Sequence, residues 1–258
     1  MVGRVEATAL MGVLLIAGAV VTGCSDLSPS TDASGSGGET SPELLIFVFD
    51  RSTSVLDHEL EHARRLTRDR LDYLRPGDRI VAMELLELSL AEEPQRWSQV
   101  APVPQFPGRR VQSDSLALDR FIQDAQSYIA AFSEPEGRED FLGTDILSTL
   151  HLVSGELQAY PELRPTLILF SDMLQANAVM NMEGLVRMPP PDWVQTRAAE
   201  GTLPELVGLC VVVVGARTDH WAAQRVRAFW EEYFEVTGAA LRSSNYDYRP
   251  VRLPLDPC

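Results

Sequence analysis

The chain of 258 residues contains no lysine; all 22 of its basic residues are arginine. That absence removes several chemistries at once. A P-loop needs its Lys, and a haloacid-dehalogenase-type phosphotransferase needs one as well. Schiff-base catalysis requires a Lys amine. Positive charge is scarce altogether, leaving a net charge of -15. Such a chain repels nucleic acid and anionic lipid, so neither is expected as a partner. It suits cations and basic protein surfaces, and the charge also serves solubility. Aromatic residues are few, at 7%, but the chain is 45% hydrophobic with frequent apolar runs. It can therefore bury a sizeable core. There is no G-x-S-x-G elbow and no Cys in a nucleophile context, so no enzymatic activity is expected.

Long apolar runs are missing too. The run from Ala9 to Val21 is shorter than the roughly 17 residues a membrane helix requires, and it follows Arg4 as an export signal would. It ends in Val21-Thr22-Gly23-Cys24. This resembles the lipobox of bacterial lipoproteins, in which cleavage falls between the residues matching Gly23 and Cys24 and the Cys is lipidated. The resemblance implies a signal peptide over 1–23 and contact with the membrane through the lipid anchor only. Ser25 resembles the outer-membrane sorting preference of two-membrane bacteria, so the expected location is the cell envelope. Residues 24–42 then form a lipidated Cys and a tether rich in Ser, Gly and Thr. Export permits a disulfide between Cys210 and Cys258. Cys210, however, sits inside an apolar run and reads as a small buried hydrophobe.

From residue 43 to 258 the pattern is that of one α/β domain. Leu44 to Phe49, Thr166 to Phe170 and Leu209 to Val214 are apolar runs read as strands buried on both faces. Arg79 to Leu86 is a further strand, and Ala239 to Ser243 an edge strand. Helices are expected over 55–74, 116–132, 144–160 and 219–236, with another after Pro189-Pro190-Pro191. Residues 87–113 are polar and Pro-containing; they have room for another strand, whose position the sequence does not fix. Strands alternating with helices predict a doubly wound, mostly parallel sheet flanked by helices.

Ligands in such sheets bind at the carboxyl ends of the strands. Asp50, Ser52 and Ser54 follow the first apolar strand, Thr144 follows Gly143, and Asp172 follows the strand ending at Phe170. All offer oxygen, and none offers sulfur or imidazole. Oxygen-only sets suit hard cations, Mg2+ first, with Mn2+ or Ca2+ possible.

Asp-x-Ser-x-Ser, a later Gly-Thr and a later Asp closing a strand resemble the metal-ion-dependent adhesion site of von Willebrand factor A domains. The resemblance covers roughly residues 43 to 246 and implies strand order 3-2-1-4-5-6. It implies that Ser52, Ser54 and Thr144 ligate a metal, and that Asp50 and Asp172 act mainly through bound water. One coordination position is left for an acidic side chain of a protein partner. The chain departs from the family at Met173, where Gly is common, at Leu142, where a second Gly is usual, and at Arg51, a charge inside the motif.

His58-Glu59-Leu60-Glu61-His62 matches H-E-x-x-H, the two-ligand motif of zinc peptidases. Its alternative reading is a solvated helix face, because the apolar stripe runs through Leu56, Leu60, Ala63 and Leu71. The aromatic residues of the last helix, Trp221, Phe229, Trp230, Tyr233 and Phe234, read as core packing. The functional expectation is cation-dependent protein-protein interaction in the cell envelope. The other readings are the zinc peptidase and a structural subunit of an envelope assembly. The segment 174–206 is expected to carry specificity, since binding residues favour loops on a rigid scaffold.

Overall fold

A computed structural model describes residues 41–86, 94–104, 112–134, 143–177, 180–183 and 188–258. The signal peptide, Gly23, Cys24, nearly all of the tether and Leu142 lie outside the described residues.

Strand β1 (Glu43–Asp50) is buried at all eight positions, as an unbroken apolar run predicts for a central strand. Beside it lie β2 (Arg79–Leu85) and β4 (Arg164–Phe170), both parallel to it. β5 (Cys210–Val214) and β6 (Ala240–Asp247) extend the sheet beyond β4, also in parallel. The remaining edge is β3 (Arg96–Val100), antiparallel to β2. The order β3-β2-β1-β4-β5-β6 is the one implied by the resemblance.

Alternate residues of these strands feed two cores. Leu44, Ile46, Val48, Leu167, Leu169, Val211 and Val213 face α3 (Ile146–Ala159), α4 (Trp193–Ala199) and α5 (Trp221–Thr237). Leu45, Phe47, Phe49, Ile168, Phe170, Val212 and Val214 face α1 (Asp57–Leu71) and α2 (Gln112–Phe132). The period of two along each strand thus distributes apolar surface to both layers of helices.

β3 is the strand for which residues 87–113 have room but whose position the sequence does not fix; as a polar edge strand it carries no alternating apolar signal. Three expectations need correction. Cys210 and Cys258 are joined as a disulfide with Cα atoms 5.8 Å apart, so Cys210 is a partner and not merely a buried hydrophobe. Leu56 and Trp221, expected in apolar stripes, are 49% and 66% exposed. Thr144 does not open α3. Asp145 is its N-cap, accepting from the Ser148 N–H, while Thr144 bridges to Ala176.

Candidate metal centre

Four of the candidate residues, Asp50, Ser52, Ser54 and Asp172, gather at the carboxyl edge of β1 and β4. The register pairs Phe49 with Phe170, so Asp50 and Ser171 leave the two strands side by side. Asp50 is fully buried. Its Oδ1 accepts the Ser52 N–H at 2.9 Å, which tightens the turn after β1. Its Oδ2 accepts the Ser171 hydroxyl at 2.7 Å. Ser171 in turn accepts the Met173 N–H. Asp172 accepts the Leu174 N–H through Oδ1 and is bonded by Ser54, whose hydroxyl lies 2.9 Å from that of Ser52.

Thr144 is tied to the segments on either side, and among the described residues no hydrogen bond joins its side chain to the other four. Its backbone N–H and C=O pair with Ala176, in the segment that follows Asp172. The next residue, Asp145, donates its N–H to Leu86, just beyond the Leu85 that pairs with Asp50. The buried Gln175 locks the arrangement, giving its amide N–H to Asp145 and taking the Leu147 N–H.

Burial first, and the Asp50 charge second, push the Asp172 carboxyl up to about 7. Two carboxylates have been brought together in a partly dry site, where repulsion is poorly screened. Arg51 does not relieve it: its guanidinium bonds Glu84 at 2.6 Å. The charge inside the motif is thus matched on the β2 side.

The residue after Asp172 explains one departure from the family pattern. Met173 takes φ +65°, the left-handed region that Gly enters without penalty. Met173 is held there by burial and by the Trp230 indole, which donates to its carbonyl at 2.8 Å. Gly215, at the end of β5, has φ +110°, and a Cβ there would meet the Ser171 carbonyl at 3.0 Å. Only Gly lets this turn close against the site.

The donor set fits a hard divalent cation: two carboxylates, three hydroxyls, and no competing imidazole or sulfur. Among the described residues, no three His, Cys, Asp or Glu side chains gather in a metal-holding cluster. Any site here therefore depends on hydroxyl ligands. The H-E-x-x-H residues diverge. His58 is exposed, whereas His62 is buried, contrary to the solvated face expected of both. Nδ1 of His62 lies 2.7 Å from Arg65, and burial first and Arg65 second hold its pKa below the usual value.

Sequence reasoning missed Ser171, Gln175 and a cleft of about 300 Å3 that starts at Ser54 and Asp172. Ser171 could have been found as the hydroxyl between a strand end and an Asp. Gln175 carries no sequence signal.

No protein-family model and no curated protein matches the chain. Among solved structures it is similar to proximal thread matrix protein 1 from the mussel byssus, at 13% identity and TM-score 0.38, over 77% of this chain and 48% of that one. It is also similar to a von Willebrand factor type A structure from Catenulispora acidiphila, at 12% identity and TM-score 0.36, over 77% and 42%. A third is the N-terminal domain of TFIIH p34, at 10% identity and TM-score 0.29, over 80% and 92%. The chain spans less than half the length of the first two. Likenesses this faint carry no weight beside the strand order and register, on which the fold rests.

Proposed function

We propose that the chain is a lipid-anchored protein of the bacterial cell envelope whose von Willebrand A-like domain captures a protein partner through a divalent cation. The supporting observation is the oxygen-only cluster at the β1 and β4 edge, with Asp172 raised to about 7 beside Asp50. A divalent cation relieves repulsion of this kind. Ser52, Ser54 and Thr144 would hold the ion, with Asp50 and Asp172 acting mainly through water, as the family resemblance implies. The bound ion supplies a Lewis-acidic position for a partner's carboxylate. The chain's own groups orient the hydroxyls: Asp50 fixes the turn at Ser52, and Ser171 fixes Asp50.

The test is capture of partners from a native envelope extract with wild type and Asp50→Ala. Capture in Mg2+ that is lost on chelation, restored by Mg2+ and absent in the variant supports the reading. Equal capture under all conditions contradicts it.

A further inference from the structure

The cleft beside the candidate metal centre is not used by the reading above. It lies at the carboxyl edge of the sheet. Ser54 and Asp172, after β1 and β4, line it together with Gly215 and Arg217, after β5, and Tyr246 of β6. The rest of the lining is mainly apolar, from Leu174, Met182, Ala222, Ala223 and Val226. Leu56, an apolar side chain that is 49% exposed, also lines it. Exposed apolar surface around an apolar hollow is the composition of an interaction site.

Charge selects the occupant. Arg217 lies over the Tyr248 ring, its guanidinium carbon 5.0 Å from the centroid. The Tyr248 hydroxyl is bonded to both Arg217 and Glu59. Glu59 is turned to the Leu56 N–H at 2.7 Å, which spends that carboxylate on the start of α1. Arg217 thus sets a cationic group in the same apolar-walled cleft as Ser54 and Asp172. An occupant whose carboxylate reaches a cation at Ser54 and Asp172 would lay an apolar side chain against these walls, with a further acceptor toward Arg217.

We infer that the cleft is a specificity pocket for a large apolar side chain of the partner protein, placed one to three residues from the carboxylate that reaches the metal. Arg217 receives a second acceptor of the same segment. This inference rests on the function proposed above. At about 300 Å3 the hollow has room for one bulky side chain with its neighbours.

Selection of random peptides on the immobilised full-length protein in Mg2+ tests it. The expected peptides pair Asp or Glu with Leu, Ile, Phe, Met or Trp within three positions. Replacing that apolar residue by Ala should weaken binding at least about tenfold, since a buried side chain of this size contributes that much. Ala222→Phe, which fills the cleft, should abolish the apolar preference while leaving Mg2+-dependent selection of acidic peptides. Arg217→Ala, at an exposed position, should weaken the paired peptides without lowering thermal stability. Acidic peptides selected with no apolar preference, or a preference unchanged in Ala222→Phe, overturn the pocket and leave the metal reading standing. Selection indifferent to chelator overturns both.

Discussion

Asp172 concentrates the physics of the site in one side chain. Its folded-state pKa, about 7, lies above its ordinary value of 3.8. The folded chain therefore holds this proton more tightly than the unfolded chain. The stability it contributes is full below about pH 4 and is lost as pH rises through about 7. In chelator, wild type should lose stability over that interval relative to Asp172→Asn, which cannot ionise. Thermal unfolding of both proteins at pH 5 and pH 8 checks this; a pH-independent difference would contradict it. Met173 makes a second residue-scale case. Met173→Gly relieves a left-handed strain of order 1 kcal/mol but removes a fully buried side chain that contributes about 2 kcal/mol or more. The net expectation is a lower midpoint in urea, which equilibrium unfolding measures.

Elements explain what was legible in the sequence and what was not. β1, β4 and β5 were legible because an unbroken apolar run admits one assignment in an alternating chain. The strand-end rule then brought Asp50 and Asp172 together without any contact information. β3 was not legible, since an exposed edge strand such as Arg96–Val100 buries too little to impose a pattern. The start of α3 was misplaced, at Thr144 instead of Ile146, because Thr144 and Asp145 are both good caps, and the choice is made by the distant partners Leu86 and Ala176. His62 was misplaced for a similar reason: Arg249 and Pro250, far along the chain, lie beside it. Cys258 belongs with these non-local effects. The disulfide closes a loop with a sequence separation of 48 and ties the segment after β6 to the start of β5. Cys258→Ser should cost roughly 2–4 kcal/mol. Equilibrium unfolding should show the same loss for wild type in reductant, and no loss in either case would contradict the account.

For the whole molecule, the net charge of -15 and the proposed cation site would act in the same sense. An acidic surface concentrates divalent cations around it and disfavours acidic partners until a cation is bound. Capture of an acidic partner should therefore be gated by the metal, which an affinity series in Mg2+ at fixed NaCl would show.

The central claim is that the β1 and β4 edge binds a divalent cation. Titration calorimetry with Mg2+ and Mn2+ at pH 8 on wild type and Asp172→Asn tests it most directly. The account predicts one ion bound per chain in wild type, abolished in the variant, with a matching rise in thermal midpoint in wild type alone. Absence of saturable binding in wild type, or equal binding in the variant, would contradict it.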